Sequence, residues 1–157
     1  MTRLRIPDYD YRQPNAFFVT NLAFHRQDLF GIQTSSGIAT NRLGDIVDAI
    51  WHETPVHQHN IQTDAFIVMP NHVHGILWTT EAYSDHRPEG FGNPVAHSLP
   101  TAIRSFKSAV TRAAHRDCGF EPASPWQPRY WLHIIRTEAR LNRIRHYIET
   151  NPQRSYR

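Results

Sequence analysis

IQTDAFIVMP at 61–70, followed at once by HVHGILW at 72–78, is the stretch that decides the fold. Both halves are rich in β-branched, aliphatic and aromatic residues, which suit a half-buried pleated strand. Pro70-Asn71 between them is a tight-turn signal, so the pair reads as two strands joined by a short turn. Upstream, Leu43, Ile46, Val47, Ile50 and Trp51 fall at three- and four-residue spacings, which predicts a helix from Asn41 that Pro55 ends. Before it, AFFVTNLAF (16–24) reads as a strand and TSSGIATN (34–41) as a loop. Downstream, Leu99, Ile103, Phe106 and Val110 repeat at helical spacing, EPASP (121–125) is a connector, and WLHIIR (131–136) is a strand. A last helix is expected from Thr137, a suitable N-cap with Glu138 in the first turn, to about Asn151 before Pro152. The order β-α-β-β-α-β-α predicts an α+β fold. Its expected form is a ferredoxin-like antiparallel sheet with helices on one face and an extra C-terminal helix.

The chain has 157 residues, the length of one domain, which is taken as 1–157 with an extended basic arm at 1–15 and a long surface loop at 81–97. Apolar residues make up 39% and charged residues 20%, a globular mixture and not that of a disordered chain. Apolar runs are short and the N-terminus lacks a secretory apolar region, so no membrane partner is expected. Cys118 is the only cysteine, which excludes an internal disulfide and any all-Cys zinc site and suits a reducing, cytoplasmic setting. The net charge of +3 conceals a split. Residues 1–100 carry 6 Arg against 10 acids, whereas 101–157 carry 10 Arg and 1 Lys against 4 acids. Arginine forks match phosphate oxygens and stack on bases, and WQPRYW (126–131) sets aromatics among them. That third reads as a nucleic-acid surface or as a solvated helix face.

His72-Val73-His74 lies on the second strand of the opening stretch. Side chains alternate along a strand, so both imidazoles project to one side and could share a divalent cation with positions left open. In a chain with 11 His such a pair also arises by chance. On the last helix Leu141, Ile144 and Ile148 define the apolar stripe. Tyr147 lies roughly 80° from its centre, and Asn151 is one turn further along the same edge. A helix packed on the His-bearing sheet would present a phenol and an amide together. Tyr147 reads equally as a boundary aromatic, and Asn151 as a C-terminal helix residue before Pro152.

MPNHVHGILW (69–78), WQPRYWLHIIR (126–136) and LNRIRHYIETNP (141–152) together resemble the REP-associated tyrosine transposases, within the wider single-tyrosine HUH transposases. The three segments fall in that family's order and spacing, and the strand–helix pattern from 16 to 152 covers nearly the whole chain. The resemblance implies that His72 and His74 bind Mg²⁺ or Mn²⁺, that Asn151 is a third, amide ligand, and that Tyr147 is the nucleophile. It also implies single-stranded DNA with short palindromic hairpins as the partner, cleaved and rejoined through a 5′-phosphotyrosine by a monomer or homodimer. The absence of a GxxxxGK[ST] motif agrees with a transesterification that needs no ATP.

Arg104, Lys107 and Arg112 on the second helix, with Arg129, Arg136 and Arg143, are the candidate phosphate contacts. Trp126, Tyr130 and Trp131 are candidates for stacking unpaired bases, and Trp126 and Trp131 read equally as plugs of the core beneath the last strand. His133 and the arm residues Arg3, Arg5 and Arg12 are further candidates. Two other readings stay open. A non-catalytic single-stranded nucleic-acid module would leave the His pair idle. A metal-dependent nuclease using activated water would want a carboxylate by the histidines, and Asp64, on the preceding strand, is the nearest candidate.

Overall fold

The computed structural model describes residues 15–80 and 98–155, with side chains described as far as Asn151. The loop expected at 81–97 and the arm, apart from Asn15, lie outside the described residues. The elements run β1 (Asn15–Ala23), β2 (Gly31–Thr34), β3 (Gly37–Thr40), α1 (Arg42–His57), β4 (Ile61–Met69), β5 (His72–Thr79), α2 (Leu99–Asp117), β6 (Trp126–Ile135) and α3 (Glu138–Ser155). Four strands form one sheet in the order β4-β5-β1-β6, and every neighbour pair is antiparallel. Without the β2–β3 hairpin the chain is βαββαβ with the ferredoxin-like strand order, followed by α3.

Strand alternation divides the apolar residues between two cores. Phe17 and Val19 of β1, Val73 and Leu77 of β5, and Leu132 and Ile134 of β6 meet Val47 and Trp51 of α1 and Ile103, Phe106 and Val110 of α2. Ala16, Ile76 and Ile135 face the opposite way and pack with Leu141 and Ile148 of α3. The sheet is therefore a middle layer, with α1 and α2 below and α3 above. Each helix begins on a side-chain cap, which satisfies an otherwise orphaned N–H. Asn41 Oδ1 accepts from Gly44 N at 2.9 Å, Ser98 Oγ from Thr101 N at 3.4 Å, and Thr137 Oγ1 from Arg140 N at 3.2 Å. Among the described residues no helix is long and apolar enough to cross a membrane.

Four boundaries depart from the sequence reading. Residues 34–41, expected as a loop, contain β3 and the turn of a two-stranded hairpin that pairs Gly31–Thr34 with Gly37–Thr40. Ile32 is 62% exposed and Gly31 is the one fully buried residue of the two strands, so the hairpin offers no apolar alternation to read. Pro55 lies inside α1, which continues to His57. In the last turn a proline removes only one backbone bond, and Gln58 N still reaches Thr54 O at 2.8 Å. β6 begins at Trp126 instead of 131; Pro128 is tolerated because β6 is an edge strand. Finally, α3 passes through Pro152 to Ser155, so Asn151 sits within the helix and does not end it.

Gly75 lies between Val73 and Leu77 on the face of β5 that meets α1, and lets that helix approach the sheet closely. A Cβ there would lie 2.5 Å from the Trp51 ring and 2.9 Å from Phe66. Those two rings stack with centroids 4.3 Å apart, so neither can yield alone. Gly75→Ala is expected to lower stability by about 1–3 kcal/mol through overpacking, measurable as a lower urea midpoint at unchanged m.

Candidate functional site

The two histidines are placed by the turn that precedes them. Met69 pairs with His72 across a two-residue loop of Pro70 and Asn71. The loop carbonyls are held from outside the hairpin: Phe30 N donates to Pro70 O at 3.0 Å and Ala23 N to Asn71 O at 2.8 Å. On its other edge β5 pairs with β1, which sets Thr20 opposite His74 and Leu22 opposite His72. Val73 lies in the α1/α2 core, so His72 and His74 share the opposite face, as the alternation predicts. Their ring centroids are 4.6 Å apart.

Each ring has its Nδ1 engaged. His72 Nδ1 lies 2.6 Å from Asn71 Oδ1, which can only accept, so Nδ1 carries the proton and Nε2 the lone pair. His74 Nδ1 lies 2.8 Å from Thr20 Oγ1, which can take the same proton and leave Nε2 basic. Burial lowers the pKa of His72. Burial, and then the neighbouring His72, push His74 down to about 3. Both imidazoles are therefore neutral at pH 7, the form that ligates metal. Thr20 and Asn71 were not singled out from the sequence. Their only trace there is position, since Asn71 adjoins His72 and Thr20 is an isolated hydroxyl inside an apolar strand.

α3 brings Tyr147 to this pair. The Tyr147 ring lies edge-on to His74 with centroids 5.5 Å apart, and Phe18 stacks on His74 at 5.3 Å. Tyr147 is 36% exposed, so the ring is held against the site while one side stays open to solvent. Asn151, one turn further along α3, is buried. Among the described residues no third His, Cys, Asp or Glu joins the histidines, so a third side-chain ligand would have to be of another type, such as an amide. Trp126 is core, packed against Phe30 and Phe106. Tyr130 also packs against the α1/α2 core, away from the histidines. Trp131 pairs with Thr20 and His133 with Phe18, so both share the histidine face and both are half-buried.

The expected phosphate-binding cations divide in the same way. Arg104 and Arg112 are exposed on α2, in the layer opposite the His pair. Lys107 is not a free cation: its Nζ donates to Gln127 O at 2.8 Å and Pro128 O at 3.4 Å. Burial lowers its pKa to about 8. It ties α2 to the irregular start of β6, so in this structure its ammonium braces those two carbonyls. Arg129 is exposed in that irregular start, and Arg136 is exposed at the β6–α3 junction. Arg143 is exposed one turn before Tyr147 on the same flank of α3.

Asp64 is not beside the histidines. Met69 and Ile67 of β4 face His72 and His74, so Asp64 lies three to five residues away, about 10–17 Å along the strand. Its carboxylate accepts from Arg145 Nε at 2.9 Å and Nη2 at 2.5 Å, and from Trp78 Nε1 at 3.0 Å. The Arg145 guanidinium, against the opposing pull of burial, holds the carboxyl well below its ordinary value, at about 2. This displacement corresponds to at most roughly 2 kcal/mol. With Arg145 38% exposed, solvent screening brings it to about 1 kcal/mol. The contribution is fully present above the unfolded pKa near 4 and is lost as pH falls toward 2. Urea unfolding of Asp64→Asn should therefore show a deficit of about 1 kcal/mol at pH 6 that closes between about pH 4 and pH 2. A deficit that does not vary with pH would remove the charge pair as its cause.

No protein-family model matches the chain. An uncharacterized protein of Haemophilus influenzae is 29% identical over 160 residues, covering 95% of this chain and 86% of that one. Among solved structures, a REP-associated tyrosine transposase bound to a REP hairpin superposes with a TM-score of 0.63 at 22% identity, over 96% of this chain and 73% of that one. A provisionally assigned transposase of Deinococcus radiodurans R1 superposes with a TM-score of 0.54 at 17% identity, over 93% of this chain and 95% of that one. The architecture and the resemblance carried by the three motifs agree: this chain has the fold of the REP-associated tyrosine transposase.

Proposed function

We propose that the chain is a divalent-metal-dependent transesterase that cleaves and rejoins single-stranded DNA beside short palindromic hairpins, with Tyr147 as nucleophile. The observation that carries this reading is the contact of the Tyr147 ring with His74, beside two neutral imidazoles whose Nδ1 atoms are engaged. The donor set fits a hard or borderline cation such as Mg²⁺ or Mn²⁺: Nε2 of His72 and of His74, with the amide oxygen of Asn151 as third ligand. Bound there, the ion would polarise the scissile phosphate and offset the charge that develops on its oxygens. The DNA hairpin as substrate takes further support from the solved relative that holds a REP hairpin.

The protein's own groups supply the rest. The Tyr147 oxygen attacks phosphorus, a Tyr147 Oη–P bond forms and the P–O3′ bond breaks. The phenol loses its proton, the departing O3′ gains one, and the products are a 5′-phosphotyrosyl strand and a free 3′-OH. One phosphodiester replaces another, so attack by a 3′-OH reverses the step without ATP. In this reading Arg143, exposed on the Tyr147 flank, and Arg129, exposed at the start of β6, would contact backbone phosphates, and Trp131 would stack an unpaired base. The activated-water reading is disfavoured, because the carboxylate it would use, Asp64, is bound to Arg145 and Trp78.

Tyr147→Phe should bind hairpin DNA like the wild type and form no covalent adduct on a denaturing gel with Mn²⁺. Tyr130→Phe, altered on the opposite face of the sheet, should still form it. Mass spectrometry that places the nucleotide on the peptide containing Tyr130 would show the nucleophile to be wrong.

His72→Ala and His74→Ala should each abolish cleavage while hairpin binding stays nearly intact, since most affinity comes from the backbone phosphates. Thr20→Val, which leaves His74 Nδ1 without its hydroxyl, should weaken Mn²⁺ binding by about 10–100-fold in a calorimetric titration. Unchanged affinity would mean that Thr20 does not orient the imidazole.

A further inference from the structure

We infer that the Arg145–Asp64 pair, backed by Trp78, sets the roll of α3 about its own axis and so aims Tyr147 at the reacting phosphate. The inference rests on the proposed role of Tyr147 and assigns a positioning function to three residues outside the site itself.

A helix held by an apolar stripe alone is fixed in place better than in roll, because hydrophobic contact has no direction. Leu141, Ile144 and Ile148 supply that stripe on α3. Arg145 projects about 80° to one side of its centre and Tyr147 about 80° to the other, with Asn151 on the Tyr147 flank. On the first side a two-pronged guanidinium–carboxylate contact joins α3 to β4. This is the most directional kind of side-chain bond available to the helix. The partner is itself immobilised: Asp64 also accepts from Trp78 Nε1 of β5 at 3.0 Å and from Ala65 N at 2.6 Å. The pairing of β4 with β5 is irregular between Thr63 and Phe66, a break of the kind that re-aims a side chain. Asp64 lies at that break and reaches α3.

On the opposite flank the consequence is geometric. Side-chain tips lie at least 5–6 Å from a helix axis, so a roll of about 10° displaces the phenol by about 1 Å. In-line attack tolerates little more, and an error of about 1 Å can cost a hundredfold in rate. Anchoring one flank of α3 to β4 thus fixes the other flank against His74. The nucleophile and Asn151 keep their aim from the opposite flank, while the Tyr147 ring, 36% exposed, stays open to substrate.

Two measurements on the full chain test this, each below the unfolding temperature of the variant used. The first is the NMR spectrum of the His74 ring protons without metal or DNA, where the edge-on Tyr147 ring contributes a ring-current shift. In Asp64→Asn and in Arg145→Lys, which keeps the charge but loses the fork, these resonances should move toward those of Tyr147→Leu. The second is the single-turnover rate of adduct formation at saturating hairpin DNA. It should fall by about 10–100-fold in both variants, with the Kd for the hairpin within about twofold of wild type. His74 resonances that stay in place would overturn the proposal whatever the rates do, as would a rate equal to wild type in both variants. Should wild-type protein form no adduct, the proposed function falls, and the His74 resonances still decide whether the pair sets the roll.

Discussion

The pairing of β1 with β5 is the constraint on which the site depends. It sets Thr20 opposite His74 and Leu22 opposite His72, and β1 also carries Phe18, which stacks on His74. Because strand side chains alternate with a period of two, a slip of one residue would turn both imidazoles into the α1/α2 core and bring Val73 out. The register is pinned from both faces at once. Phe17 and Val19 are buried on one side of β1 and Ala16 on the other, so a slip of one residue would exchange side chains between two packed layers. The chain following β1 reinforces it through Ala23 N and Phe30 N, which hold the two carbonyls of the turn before His72.

The sheet separates the larger core from the cluster of His72, His74 and Tyr147 by layer. Below it, α1 and α2 enclose the larger core, and the only lysine of the chain is spent there on bracing the start of β6. Above it, α3 packs over Ile76 and Ile135, and its two flanks differ. One flank is tied to β4 by Arg145 and Asp64, whereas the other carries Arg143, Tyr147 and Asn151, with the Tyr147 ring against His74. Placing the anchor and the phenol on opposite sides of one apolar stripe gives the aromatic a defined direction while its surface remains accessible.

The basic character of residues 101–157 has more than one meaning once the chain is folded. Arg104 and Arg112 look out from the layer that faces away from His72 and His74, and Arg145 is neutralised by Asp64. Arg143 lies on the flank of α3 that bears Tyr147, and Arg129 sits at the irregular start of β6. Trp131 and His133 continue the histidine face across β6, an edge strand, so the surface beside the phenol is a run of aromatic, imidazole and guanidinium groups. Such a surface suits an unpaired strand, whose bases can stack and whose phosphates can be bridged.

Periodicity alone determined the strand–helix order, the strands that flank Pro70-Asn71, the shared face of His72 and His74, and the flank of α3 on which Tyr147 and Asn151 fall. These are local consequences of backbone geometry, and local residues suffice to encode them. The β2–β3 hairpin is not legible because its strands show no apolar alternation, and the passage of α1 and α3 through Pro55 and Pro152 because a proline near a helix end removes only one backbone hydrogen bond. Only the tertiary structure decided that Thr20, 54 residues away, is the partner of His74, and that Asp64, 81 residues from Arg145, is the partner of that guanidinium. It alone separated Trp126 in the core from Trp131 on the histidine face, and Lys107 from the solvent-facing arginines. Each of these depends on which strands become neighbours and which layer a helix joins, and a pattern read along one chain does not contain the distance between two of its parts.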